Sequence, residues 1–340
     1  MVSIKKKVFF AIIFPLLTGV LFGCGDAQGN GIYQQTTAAM DTVVTLTLDT
    51  NGDAALMQQC IGTLTALSQQ LDCHTAESTV GRLQTEGRVV CTEDTLPRLI
   101  RETAILQKRF GSAVQLSCRP LTALWEQAEA ASALPSSSDI LAAMALVDDT
   151  RIALEAERIL SVPEGFGLDL GAVAKGYAMD VLAAQLRESD ADYGVISASS
   201  AVLLYGQKPD HQPFTVQITD PADGGVLGTV TLTHGSAQAV TMIGTSGSYA
   251  RPLIIGEREY CHILDLQTGA PSQSDLASVS VFCENGLMAD FLSTHIYLGG
   301  TAALSQHLSA EDYRILAVDT AGKVYCSEGL SFAPAKAVQP

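Results

Sequence analysis

Helical and extended segments are intermixed along this chain without a regular strand–helix–strand repeat. That pattern predicts one α+β domain, a large and mainly antiparallel sheet with packed helices. Three observations carry the reading. Segments of helical period cluster in the first half, residues 193–283 are mostly strands separated by turns, and a helical stretch and a strand pair close the chain.

Taken in order, residues 36–49 alternate as a strand, with Val43, Thr45 and Thr47 set against Val44, Leu46 and Leu48. Residues 53–71 are helical by spacing, placing Leu56, Cys60, Leu64 and Leu67 on one face. Two further helices are expected over 96–110 and 120–131. A serine cluster ahead of Asp139 is an N-cap signature for a helix over 136–146. Residues 151–154 and 158–162 read as a hairpin around 155–157, and 169–186 as a loop entering a helix. Turns are expected at Pro209-Asp210, at 222–225 and at Gly256-Glu257. Helices over 287–298 and 302–308 and a strand pair within 313–326 complete the domain.

The N-terminus has a different character. Lys5, Lys6 and Lys7 precede an apolar run over residues 8–22 that ends at Gly23-Cys24. A basic segment followed by an apolar stretch is of signal-peptide type, and the run falls short of the roughly 20 residues a membrane span needs. A small residue before a cysteine at that point is how bacterial lipoproteins present the thiol that receives lipid. The expected organisation is a signal peptide over 1–23, a polar tether over 24–34 beginning at lipidated Cys24, and a domain over 35–335. The protein is then expected outside the cytoplasm, anchored to the cell membrane. Removing residues 1–23 takes away three lysines and moves the formal net charge from −16 to −19. Such an acidic surface excludes nucleic acid as a partner. Seven cysteines remain besides Cys24, with no CxxC spacing. Buried small hydrophobes is the reading for most of them, and Cys73–Cys91 or Cys60–Cys91 bridges are left open.

Three segments carry chemistry. Asp169-Leu170-Gly171-Ala172-Val173-Ala174-Lys175-Gly176-Tyr177 puts small residues and a lysine at a helix start, where free N–H groups and an ammonium suit an anion. A glycine-rich helix start with a surface lysine accounts for it equally well. In Ala289-Asp290-Phe291-Leu292-Ser293-Thr294, the oxygens of Asp290, Ser293 and Thr294 share one helix face. A carboxylate with hydroxyls suits a hard cation such as Mg²⁺, although a packed threonine would give the same pattern. The third segment is Thr245-Ser246-Gly247 followed by residues 260–271, with His262 and Asp265 between two turns. They form either an oriented imidazole pair or structural residues.

In combination and order, D-L-G-x-x-A-K-G-Y, T-S-G-x-Y, H-I-L-D-x-x-T-G-x-P and A-D-x-L-S-T closely resemble the ApbE-like family of FAD:protein FMN transferases. The likeness extends upstream to Met40-Asp41-Thr42, similar to the family's M-G-T. It continues through Ser78-Thr79-Val80-Gly81-Arg82-Leu83 and Pro120-Leu121-Thr122-Ala123-Leu124-Trp125, and covers roughly residues 35–330. The resemblance implies a single ApbE-like domain of T-fold type. It also implies Mg²⁺-dependent cleavage of the FAD pyrophosphate, with FMN passed to a threonine or serine of an exported redox protein and AMP released. By the same resemblance Ala172, Asp290, Ser293 and Thr294 hold Mg²⁺. Met40, His74, Ser117, Asp169, Lys175, His262 and Leu264 bind FAD, and Asp290, Lys175 and His262 act in catalysis.

The chain also departs from the family pattern. Ser197-Ala198-Ser199-Ser200-Ala201 stands where the family shows N-x-G-G-[DN], and Val114-Gln115 stands where it shows F-D. His74 aligns with a flavin-stacking tyrosine, and Asp265-Leu266 replaces D-P. Two further readings of the same site follow. With water in place of the acceptor hydroxyl it is a metal-dependent FAD pyrophosphatase, and without turnover it is a flavin-binding lipoprotein.

Overall fold

The computed structural model describes residues 31–335, so the expected leader, Cys24 and the tether up to residue 30 lie outside the described residues. One eight-stranded sheet organises the chain. Its strands are β1 (Ile32–Ala39), β2 (Thr42–Asp49), β3 (Tyr193–Ala198), β4 (Ala201–Gly206), β5 (Val240–Gly247), β6 (Leu276–Cys283), β7 (Arg314–Asp319) and β8 (Val324–Cys326). They lie side by side in chain order, and every neighbouring pair is antiparallel. The predicted α+β architecture with a mainly antiparallel sheet is the one observed. The first strand begins at Ile32, inside the stretch assigned to the tether.

The single strand expected over 36–49 is instead two strands joined at Met40-Asp41, with Ala39 paired to Thr42. Both turn residues are left-handed, with φ of 54° and 55°. Such turns usually announce themselves by Asn-Gly or Asp-Gly, and Met-Asp carries no such signal while the apolar alternation runs on through it. The resemblance aligns Asp41 with a glycine, and its backbone has the conformation that glycine adopts without strain.

Alternation along the strands covers both faces of the sheet. Leu203, Tyr205, Met242, Val281 and Ile315 pack into the main core beneath the helices, whereas Leu204, Ile243, Phe282 and Leu316 face the other way. That second face is sealed by a three-stranded sheet formed by Phe214–Thr219, Val226–Leu232 and Ser331–Pro334, through Phe214, Ile218 and Val230.

The helical layer comprises α1 (Ala54–Leu71), α2 (Thr79–Glu86), α3 (Thr95–Phe110), α4 (Arg119–Ala131), α5 (Ser137–Met144), α6 (Ala174–Arg187) and α7 (Gly286–His307). Helix α2, which periodicity does not announce in so short a segment, starts at Ser78, whose hydroxyl accepts from Gly81 N–H. Helix α7 spans both helices expected over 287–308. The boundary between them survives as a kink at Gly300, with φ 66° and ψ −163°, where Asp275 caps the new turn by accepting from Thr301 N–H at 2.8 Å. Helices α4 and α5 form a smaller cluster with Ile255 and Leu264, around Leu121 and Trp125. The seven described cysteines are all free, so neither the Cys73–Cys91 nor the Cys60–Cys91 bridge is formed.

Candidate active site

Two helix N-termini meet at the site. The Gly176 and Gly286 backbones touch: a Cβ on Gly176 would lie 2.0 Å from the Gly286 carbonyl oxygen, and one on Gly286 would lie 2.2 Å from that of Gly176. Carboxylates lock this crossing from both sides. Asp180 of α6 accepts from Gly286 N–H at 2.6 Å and Leu287 N–H at 2.8 Å, capping α7. Asp290 of α7 accepts from Gly176 N–H at 2.9 Å, capping α6. An anion at a helix N-terminus satisfies orphan donors and complements the helix dipole. The anion the sequence called for at the start of α6 is thus partly supplied by the protein itself. Both carboxyls sit above the ordinary carboxylate range because burial disfavours their charge, Asp180 at about 6. For Asp290, Lys175 and the Gly176 amide oppose that effect.

This capping frees a backbone acceptor. In the turn that opens α6, Ala174 N–H donates to Leu170 O and Tyr177 N–H donates to Val173 O, as a helix requires. Gly176 N–H, which would close onto the Ala172 carbonyl, is diverted to Asp290. The Ala172 carbonyl is left beside Asp290 and Thr294 on the wall of one cavity. A chain of hydroxyls then orients Thr294. Ser293 donates to the Asp290 carbonyl at 2.9 Å, and Ser246 lies 2.9 Å from both Ser293 and Thr294. Because Ser293 spends its proton on the Asp290 carbonyl, Ser246 donates to Ser293 and accepts from Thr294, which leaves the Thr294 oxygen its lone pairs. A carboxylate, a carbonyl and a hydroxyl are the oxygen donors a hard divalent cation takes. Ser293 is fully buried and is not on the cavity wall, so it braces Thr294 through Ser246 and does not reach the cavity that the sequence reading placed it at.

Two adjoining cavities, of about 410 and 270 Å³, share Thr122, Asp169, Gly171, Lys175, Arg251, His262 and Leu264. Met40 and His74 line the larger and Asp290 and Thr294 the smaller. Of the expected flavin-contacting residues, Met40, His74, Asp169, Lys175, His262 and Leu264 are therefore brought together. Ser117 is not. It is fully buried, and its hydroxyl accepts from Asp148 N–H while its own N–H donates to Asp149, so it braces the turn into α4. Asp169 is also partly a strut, accepting from Gly171 N–H at 2.9 Å and Thr122 Oγ1 at 2.8 Å. His74 stands 3.3 Å from Arg119, which pairs with Glu126 at 2.7 Å.

Lys175 folds back to the Gly171 carbonyl at 3.2 Å and remains on the wall of both cavities. His262 is held neutral: burial first, then the charges of Arg251 and Lys175, lower its pKa from 6.5 to about 4. Its Nδ1 is buried with no hydrogen-bond partner among the described residues. Asp265 is not its partner, because it closes the following turn onto Gln267 and Thr268. Periodicity and motif spacing missed Thr122, Ser246 and Arg251. The last two lie in or next to the T-S-G-x-Y segment, which offered a signal without a role.

In the altered segment, Ser199 sits at φ 57° in the β3–β4 turn, and Ser199 and Ser200 line the smaller cavity. A serine holds the left-handed conformation that a glycine would adopt freely, so the turn survives the substitution with some strain.

Known proteins resemble this chain in sequence and fold. The FAD:protein FMN transferase of Klebsiella pneumoniae is 29% identical over 288 residues, covering 82% of this chain and 87% of that protein. That of Treponema pallidum is 23% identical over 309 residues, 84% of each. With that of Rhodobacter capsulatus identity is 37%, but over 135 residues that span only 24% of that protein. Among solved structures, the ApbE protein of Thermotoga maritima superposes with a TM-score of 0.76 at 21% identity, over 87% of this chain and 97% of that one. The flavin transferase ApbE from Vibrio cholerae gives 0.72 at 19%, with the same coverage. The sequence profile of the ApbE family matches residues 40–317, which take in the crossing of α6 and α7, the hydroxyl chain and the walls of both cavities, and the chain belongs to that family.

Proposed function

We propose that this protein is a Mg²⁺-dependent FAD:protein FMN transferase, releasing AMP and leaving FMN on a threonine or serine of an exported redox protein. The relatives named for that activity support the transferase reading. One observation carries the metal and phosphate chemistry. Asp290 takes the Gly176 amide, which exposes the Ala172 carbonyl next to the Asp290 carboxylate and the oriented Thr294 hydroxyl, with Lys175 alongside.

Ala172, Asp290 and Thr294 would hold the cation, which when bound offsets the charge that builds on a pyrophosphate during displacement. The remaining work falls to side chains. Lys175 neutralises phosphate oxygens, and the walls of the two cavities orient the dinucleotide. The acceptor hydroxyl oxygen forms a bond to the phosphorus on the FMN side as the bond from that phosphorus to the AMP oxygen breaks. The hydroxyl proton goes to a base, and AMP leaves with the electron pair of the broken bond. Neutral His262, whose ring lines both cavities, is the base we assign.

Incubation with FAD, Mg²⁺ and a flavin-acceptor domain should add the mass of FMN less one water to that domain and release AMP in equal amount. Steady AMP release with no adduct reassigns the protein as a pyrophosphatase, and neither product overturns the enzymatic reading. Asp290→Ala should reduce turnover by about 100-fold or more through loss of the cation, while the variant still melts cooperatively. Retained turnover in that variant removes the proposed metal site.

We also propose that lipid on Cys24 holds the domain at the outer face of the cell membrane. The basic and apolar leader ending at Gly23-Cys24 supports this placement.

A further inference from the structure

The two cavities differ in charge. Five carboxylates, Asp41, Asp72, Glu126, Glu129 and Asp169, line the larger one, whereas only Asp169 and Asp290 line the smaller. The cations on either wall are the same two residues, Lys175 and Arg251, and both reach both cavities. Among the described residues neither has a carboxylate within 4.0 Å, while six other arginines are paired in that way. Lys175 and Arg251 are thus the cations that the cavity walls leave open to a ligand. An acidic chamber repels a diphosphate and accepts a neutral, hydrogen-bonding ring, so the boundary is where phosphate charge is best balanced.

Arg251 is also placed there. One guanidinium nitrogen donates to the Asp41 carbonyl, in the left-handed turn that carries Met40 into the larger cavity. A guanidinium has five N–H donors, so that bond leaves the others for a ligand while fixing the plane of the group. Lys175 comes from the first turn of α6, and Arg251 from the loop after β5.

We propose that Arg251 is a second diphosphate ligand, which with Lys175 clamps the FAD pyrophosphate at the boundary and leaves the ring system in the acidic chamber. The inference rests on FAD being the substrate.

Trp125, the single tryptophan of the chain, lines the larger cavity, so flavin bound there should quench its fluorescence. The full-length protein in detergent is titrated with FAD and with riboflavin, which has the ring and no phosphate. Arg251→Met should weaken FAD binding by about 10- to 100-fold, the range expected for a lost charge-assisted contact, and leave riboflavin within about twofold. Arg251→Lys should restore most of the FAD affinity, and Arg251→Met should flatten its dependence on salt. Unchanged FAD affinity overturns the proposal. So does an equal loss for both ligands, which would mean that Arg251 only pins the Met40 turn. If the folded wild-type protein does not bind FAD, the substrate reading fails first and the clamp falls with it.

Discussion

At the scale of single residues, the site depends on groups whose state differs from their state in water. His262 is the clearest, a ring kept neutral by burial and by two neighbouring cations, with a pKa of about 4 against an ordinary 6.5. A histidine with a lowered folded-state pKa binds fewer protons folded than unfolded, so its contribution to stability is present above pH 6.5 and is lost as pH falls from there toward 4. Denaturation of wild type and His262→Asn across pH 4–7 should show that slope in the difference between them. A difference that stays flat would mean that the imidazole is solvated. An NMR titration should likewise place the ring transition near 4.

At the scale of elements, the α6–α7 crossing governs the oxygen donors of the proposed cation site. Each helix begins against the other, each is capped by the other's aspartate, and two glycines allow the contact. Gly176→Ala places a methyl 2.0 Å from the Gly286 carbonyl oxygen and 2.8 Å from Asp290 Cβ. Backbone on one side cannot yield, so the helices must part, at a cost of about 3 kcal/mol. The denaturant midpoint should fall accordingly, and turnover should fall further than stability because the Gly176–Asp290 bond lengthens. A variant with wild-type midpoint and rate would show that the crossing has slack.

At the scale of the molecule, the sheet is a sequential antiparallel ladder covered on both faces, and the site lies where helices and loops gather on one of them. The proposed lipid on Cys24 would hold this domain beside acceptors on the same membrane. Cys24→Ala should move the protein from the membrane fraction to the soluble one and leave its rate on a soluble acceptor domain unchanged. Continued membrane association would point to another means of attachment.

The sequence by itself determined the fold class, the helix and strand content of most segments, and the family. It also brought Lys175, Asp290, Thr294 and His262 to notice, since motifs and periodicity are local properties of the chain. The tertiary structure decided what depends on distant backbone. It split the first strand at a turn that lacks the Asn-Gly or Asp-Gly signal, because left-handed φ at Met40 and Asp41 is imposed by strand pairing. It withdrew Ser117 and Ser293 from the cavity wall, since a helix face shared in sequence does not say which oxygen reaches the surface. It added Ser246 from the end of β5 and Arg251 from the loop after it, and it freed the Ala172 carbonyl from the helix through a hydrogen bond spanning 114 residues. That last effect is a competition between two acceptors for one amide proton, and only the fold brings Asp290 close enough to win it.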